Sequence, residues 1–540
     1  MLRTIARLVV CSAVALGVAA QSAAAAPRPN IILILADDLG FSDLGCYGSE
    51  ILTPNVDDLA RAGLRFTQFY SAGRGCPSRA ALLTGRYPHQ TGLGYLTEDW
   101  GRPGYRGNLN QECATIAQVL AAAGYQTMMV GKWQLTRHTG SGGPKHTWPL
   151  SRGFRKFYGT IHGAGSYFDP VTLTRDEQFV RASGDFYYTD AISERAAEYI
   201  EQAARTDSPF FLYVAYTAPH WPLHARPEDV ARYRGKYAIG WDAVREQRHK
   251  RMIRLGVVRP EWPLAPRDSR VLAWFDAPYK PWHERRMEVY AAQVDRMDQG
   301  IGRILDKLRQ VDRAEDTLVL FLSDNGGCGE EIMPSWQGLE FPEKTRAGHA
   351  VQVGNNPNVL PGTEDTYQSY GVPWANVSNT PFRLYKHWVH EGGIATPLVV
   401  CWPAVIRAGG ELIHEPGHVV DVMATCCEVA GTRYPKQLGG YSIGPTEGES
   451  LMPLLLGRPR QRGPIFWEHE GNRAVREGKW KLVARSGGPW ELYDMETDRT
   501  EMNDLAEKNP GAVTFLARSY DDWAKRVGVE AWDRSLWEQR

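Results

Sequence analysis

Seven consecutive residues near the start of the chain, Asn30 to Ala36 (NIILILA), are apolar after the first. A strand with one wet face alternates apolar and polar residues. An unbroken apolar run fits a strand covered on both faces, as in a parallel sheet between helices. This run ends in Asp37-Asp38-Leu39-Gly40. Three more segments repeat the arrangement. Thr127 to Val130 runs into Gly131-Lys132-Trp133-Gln134, Phe210 to Ala215 leads to Pro219-His220, and Thr317 to Leu322 runs into Ser323-Asp324-Asn325-Gly326-Gly327. Leu398 to Trp402 reads as a fifth strand. Between them, Asn55 to Gly63 and Cys113 to Gly124 read as helices closed by glycine. Met287 to Leu308 reads as a long amphipathic helix with Val294, Met297, Ile301, Ile304, Leu305 and Leu308 on one face. The alternation predicts an α/β fold, a large, mixed, mostly parallel sheet between helices. Such sheets bind ligands past the carboxyl ends of their strands, where the polar residues fall.

Trp221 to Trp282 and Gly329 to Thr380 show little periodicity and read as long loops over that ligand end. From Gly457 the pattern changes to short strands, Pro464 to His469, Trp480 to Ala484 and Trp490 to Tyr493, followed by a helix over Ala512 to Val527. The expected organisation is a leader (1–25), an α/β domain (26–456) and a small C-terminal α+β subdomain (457–540). The leader has basic Arg3 and Arg7, an apolar Leu8 to Ala20 and small residues through Ala26. That is the pattern of a secretion signal, too short for a comfortable membrane span. We therefore expect export to the periplasm or the cell exterior, with no membrane span. Lys+Arg and Asp+Glu are both 62 in the 540 residues, so no basic field exists to attract nucleic acid, and any anion site must be local. The eight cysteines are scattered without a CxxC pair, which argues against a disulfide framework and a cysteine zinc site.

Asp37, Asp38, Asp324 and Asn325 are hard oxygen donors at two strand ends, suited to Ca²⁺, with Mg²⁺ second. One acidic pair after a strand is as well read as a helix cap; two such pairs point to a cation. With Arg79, Lys132, His220 and Lys386 beside it, the pocket would suit a tetrahedral oxyanion, sulfate or phosphate. Each of the four has a plainer reading alone. Arg79 could fix its own turn, Lys132 could be solvated, His220 could cap a loop, and Lys386 could pair with Glu391.

The motifs ADDLG, CPSRAALLTGRYP, GKW, APHWP, SDNGG and KHWVHEGG, in this order, resemble the formylglycine-dependent sulfatases, the arylsulfatase-like branch of the alkaline phosphatase superfamily. The resemblance extends to WELYDMETDRTEMNDLA near the end. It implies a sulfatase-like α/β core, a calcium ion held by Asp37, Asp38, Asp324 and Asn325, and hydrolysis of sulfate esters. By the same resemblance Arg79 and Lys132 would hold the formylglycine hydrate, and His220 and Lys386 would contact the sulfate. The family's Cys-x-Pro-Ser-Arg, aligned on Pro77, Ser78 and Arg79, puts its cysteine at Gly75, which has no side chain to oxidise. Cys76 falls one position late, and formylglycine is not expected. Gln134 stands where the family's GKW is followed by histidine, and an amide cannot exchange a proton near neutral pH.

Three readings follow. The first is a sulfatase by descent with impaired turnover that still binds a sulfated small molecule or sulfated carbohydrate. The second is an active hydrolase using metal-bound water or Cys76. The third, a phosphoryl-transfer relative, would need Ser or Thr at position 75. His162, in GTIHGAGSYFDP, and Trp221, beside His220, are candidates for the substrate wall.

Overall fold

The computed structural model describes residues 28–532; the predicted leader and the last eight residues lie outside that range. The core is an eleven-stranded sheet. Its strands are β1 (Asn30–Ala36), β2 (Leu64–Tyr70), β3 (Gln126–Gly131), β4 (Lys156–Thr160), β5 (Leu173–Arg175), β6 (Gln178–Phe179), β7 (Phe210–Ala215), β8 (Thr317–Ser323), β9 (Ala395–Cys401), β10 (Glu411–Ile413) and β11 (Gly417–His418). The order is β10-β2-β9-β8-β1-β7-β3-β4-β5-β6, with β11 also against β2. β8, β1, β7, β3 and β4 are parallel. β9 is antiparallel to both β8 and β2, and β5 and β6 close the other edge antiparallel. The sheet is mixed and mostly parallel at its centre.

The apolar run is buried throughout. Its residues alternate between two cores: Ile32, Ile34 and Ala36 face one, and Ile31, Leu33 and Leu35 the other. The first core takes apolar residues of the helices Pro54–Ala62, Tyr188–Ala203 and Lys280–Gln310. The second takes those of Gly75–Thr84, Ile116–Ala122 and Asp421–Val429.

The strands Leu64–Tyr70, Lys156–Thr160 and Asn472–Glu477 and the helix Tyr188–Ala203 were not anticipated from the sequence, and both expected loops contain helices. The Trp221–Trp282 insertion contains a helix, Gly240–Arg254. Its buried face mixes Arg245 and Arg248 with Trp241, Val244 and Met252, and the arginines interrupt the apolar period. Arg248 meets Asp43 at 2.5 Å and Glu50 at 2.7 Å, while Arg245 donates to the carbonyls of Asn376 and Ala265. The Gly329–Thr380 loop contains the helix Gly371–Ser378.

Ile465–His469, Asn472–Glu477, Trp480–Ala484 and Glu491–Asp494 form a separate antiparallel sheet, backed by the helix Pro510–Val527. The small C-terminal unit is α+β, with Val475, Leu482, Leu492, Leu516 and Trp523 in its core. Where it meets the large domain, fully buried Glu391 takes Lys481 at 2.9 Å, Arg499 at 3.1 Å and the Tyr70 hydroxyl at 3.1 Å. Lys481 also reaches Glu501 at 2.8 Å.

Candidate active site

Four adjacent parallel strands, β8-β1-β7-β3, deliver Asp324 and Asn325, Asp37 and Asp38, His220, and Lys132 and Gln134 to one edge of the sheet. Gly131 ends β3 at φ 99°, and a Cβ there would lie 1.9 Å from the Ala215 carbonyl oxygen, so the turn that launches Lys132 requires glycine. Asp38 adopts the left-handed region (φ 65°), which Asp tolerates better than most residues. The helix Gly75–Thr84 points its N-terminus at the same edge, with Arg79 one turn inside. Lys386 enters on the segment after the helix Gly371–Ser378.

Arg79 grips Asp324 Oδ2 through Nη2 at 2.8 Å and Nε at 3.0 Å, and reaches Asp37 Oδ2 at 3.3 Å. Lys132 Nζ lies 2.5 Å from Asp37 Oδ2. Lys386 Nζ lies 3.0 Å from Asp38 Oδ2 and 3.3 Å from His220 Nε2. The pairing of Lys386 with Glu391 is thus not the one observed, since Glu391 serves Lys481 and Arg499. All four cationic or imidazole side chains are buried, which removes the solvated reading of Lys132. His220 Nδ1 donates to the Trp221 carbonyl at 2.6 Å, leaving Nε2 as an acceptor facing the pocket. Burial holds this imidazole down at about 4, against the pull of Asp38. Burial would raise Asp37, but Lys132 and Arg79 outweigh it and hold the carboxyl well below the usual range. Burial, then the Asp37 charge, push Asp324 upward, and Arg79 opposes them.

Whether a divalent cation fits is answered by the donors. Asp37, Asp38 and His220 offer ligand atoms within 4.8 Å of one another. Asp38 Oδ1 accepts from Asn325 Nδ2 at 2.7 Å, and Asp324 Oδ1 accepts from the Asp38 amide at 3.2 Å. Asn325 Oδ1 is buried without a hydrogen-bond partner. An orphaned amide oxygen among three carboxylates suits a hard cation. Three cationic side chains already face these three carboxylates, so a bound divalent ion would leave the pocket net positive.

Gly75 faces this centre. A Cβ there would lie 3.1 Å from Asp324 Oδ2, 3.3 Å from Gln134 Oε1 and 3.8 Å from Asn325 Oδ1. Cys76 instead packs in the apolar core with Ala80 and Leu83, fully buried. Burial raises its thiol far above the usual range, so it offers no thiolate. Gln134 Oε1 is also buried without a partner.

Above the centre opens a cleft of about 490 Å³. Gly75, Lys132, His162, His220, Trp221 and Lys386 all border it. Trp221 stacks on Phe341 (centroids 5.6 Å, 13°), and its indole donates to Glu330 at 2.8 Å. His162 Nε2 lies 3.7 Å from Glu340. Sequence reasoning missed Arg74 and Glu330, which pair at 2.8 Å across the cleft. The only signal for Arg74 was its place beside Gly75; Glu330, 3.5 Å from Lys386, sits in a stretch without periodicity. A larger hollow of about 780 Å³, near Arg259 and Arg460, contains none of the predicted site residues.

A large mixed sheet whose strand ends gather three carboxylates, an orphaned amide and a ring of buried cations defines an α/β protein with a charged pocket at the carboxyl ends of its strands. The Sulfatase family profile matches residues 29–432, and the chain belongs to the sulfatase family. A profile for the C-terminal part of N-sulphoglucosamine sulphohydrolase matches residues 382–514. An uncharacterized sulfatase of Schizosaccharomyces pombe is 32% identical, over 93% of this chain and 94% of that protein. The arylsulfatase of Klebsiella aerogenes is 34% identical, over 82% of this chain and 95% of its own. Among solved structures, Ps i-CgsB in complex with k-i-k-neocarrahexaose superposes with a TM-score of 0.66 at 26% identity, covering 92% of this chain and 93% of that one. Among the described residues, no helix is long and apolar enough to cross a membrane.

Proposed function

We propose that the chain is an exported sulfatase-family protein that binds sulfate esters in this pocket and turns them over poorly. The export reading rests on the leader pattern. Asp37, Asp38, Asp324 and Asn325 would hold a divalent cation, calcium ahead of magnesium, which when bound would supply positive charge to the anion. Lys132 and Lys386 would add hydrogen bonds to the sulfate oxygens, Arg79 would hold Asp324 in place beneath them, and His220 would border the same group, its Nε2 accepting from Lys386 Nζ at 3.3 Å. Trp221 and His162 would border the body of the ester. A sulfated carbohydrate is a natural candidate, given the aromatic wall and the oligosaccharide bound by the related Ps i-CgsB.

The observation that carries the impaired-turnover reading is the direction of the absent side chain at Gly75. It points at Asp324 and Gln134, in the midst of the donors, where no side-chain oxygen is available to attack sulfur. Gln134 cannot take up or release the proton that a histidine could. Binding needs charge and donors, which remain.

Calorimetric titration of the calcium-loaded full chain with an aryl sulfate tests the binding half. Hydrogen bonds to charged groups contribute ~1.5–3 kcal/mol, so Lys386→Ala should raise Kd about 10- to 100-fold. The parent phenol, lacking the sulfate, should not show this loss. Equal affinity of the natural and Lys386→Ala chains for the sulfate ester would contradict the assignment.

A further inference from the structure

One donor cluster lies outside this pocket. His387 directly follows Lys386, with backbone in the left-handed region (φ 92°). His469 ends the first strand of the C-terminal sheet, and Glu470 begins the turn into the next. One ligand atom from each lies within 4.8 Å of the others. His387 Nδ1 is 2.8 Å from Glu470 Oε2, and His469 Nε2 is 3.3 Å from Glu470 Oε1. Ligands held tetrahedrally at ~2.0–2.1 Å from a zinc ion stand roughly 3.3 Å apart, the separation of His469 Nε2 from Glu470 Oε1; His387 Nδ1, now in direct ion-pair contact with Oε2, would draw back by about half an ångström to share the ion.

The second observation is His469 itself. It is fully buried, its Nδ1 has no hydrogen-bond partner, and its Nε2 meets only the Glu470 carboxylate, 3.3 Å away and poorly aligned for a hydrogen bond. Its Nε2 faces a carboxylate at close range without hydrogen-bond geometry, as two ligands do when both aim at a shared third atom. Buried imidazoles are seldom left unmatched in this way. Tyr95 covers the ring, stacked at 5.9 Å. Asn472 Nδ2 is held by the His469 carbonyl at 3.0 Å and lies 3.5 Å from His387 Nε2, flanking the second ring. The His387 and Glu470 side chains are 30% and 17% exposed, so a fourth coordination position reaches solvent.

We propose that His387, His469 and Glu470 form a second cation site, of the nitrogen-rich type that takes zinc. Two imidazoles and one carboxylate favour zinc over calcium, unlike the oxygen-lined pocket. The site joins the loop that carries Lys386 to the C-terminal sheet, so an ion there would pin that lysine's approach to Asp38. The absence of CxxC pairs says nothing about such a site, because its ligands come from distant segments.

The test titrates the calcium-saturated full chain with ZnCl₂ by calorimetry, with bound metal counted by elemental mass spectrometry. We expect one zinc per chain. Affinity should fall at least about tenfold in His469→Ala, in His387→Ala and in the near-isosteric Glu470→Gln, which guards against misfolding of the alanine variants. Asp58→Asn, at the exposed pair with Arg61, should leave zinc affinity unchanged. The natural chain's melting temperature should rise with zinc, and that of Glu470→Gln should not. The proposal is overturned if no zinc binds, if affinity survives in folded Glu470→Gln and His387→Ala, or if anomalous scattering at the zinc edge places the ion elsewhere.

Discussion

Gly75→Cys, co-expressed with a formylglycine-generating enzyme, should hydrolyse aryl sulfates at least about a thousandfold faster than the natural chain. Removing the nucleophile of a well-studied hydrolase costs on the order of 10⁶ in kcat; the smaller gain expected here allows for the missing histidine. The backbone permits the change. Gly75 is absent from the positive-φ positions, and the nearest contacts of a new Cβ are the ends of two side chains, Asp324 Oδ2 at 3.1 Å and Gln134 Oε1 at 3.3 Å. A shift of a few tenths of an ångström accommodates it. The new side chain would point where the carboxylates and Arg79 converge. Adding Gln134→His should raise the rate further, by about 10²–10⁴-fold if it restores proton transfer. The two act in one chemical step, so their effects should not be additive. Intact mass would establish maturation; a fully matured Gly75→Cys chain no faster than the natural one would count against the account.

The largest stability effect is expected at the junction of the two domains. Glu391 is fully buried and meets Lys481, Arg499 and Tyr70. Glu391→Ala would leave Lys481 with Glu501 alone and remove the only carboxylate, among the described residues, within salt-bridge distance of Arg499. Breaking a buried ion pair in this way costs about 3–5 kcal/mol. Chemical denaturation should show a loss of that size, with the C-terminal sheet exchanging amide hydrogens faster. Asp58→Ala, which breaks the exposed pair with Arg61, provides the comparison and should change stability by less than about 1 kcal/mol. Equal effects of the two substitutions would contradict the role given to Glu391.

The central sheet was legible because its signal is local. The run Asn30–Ala36 is apolar on both faces because both faces meet a core, and the polar residues at the strand ends follow directly from it. Elements whose buried faces mix arginines among apolar residues were not legible. Gly240–Arg254 buries two arginines whose partners lie on other segments. Asn472–Glu477 carries Arg473 and Arg476 amid its apolar residues, and was missed between two recognised strands. The pocket was legible as a set of residue types at strand ends, but not as pairs. That Lys386 meets Asp38 rather than Glu391, that Arg74 reaches Glu330, and that His387 meets Glu470 are all consequences of tertiary packing. No period or spacing records such contacts.

The most direct measurement follows one sample of the natural chain, loaded with calcium and mixed with excess aryl sulfate. Bound ester is measured by equilibrium dialysis and released sulfate by ion chromatography. We expect the ester to bind, to remain intact, and to bind more weakly in Lys386→Ala. Sulfate release at an ordinary enzyme's rate, roughly 1–10³ s⁻¹, abolished by His220→Ala, would contradict this expectation and show that the chain reaches the reaction through another nucleophile.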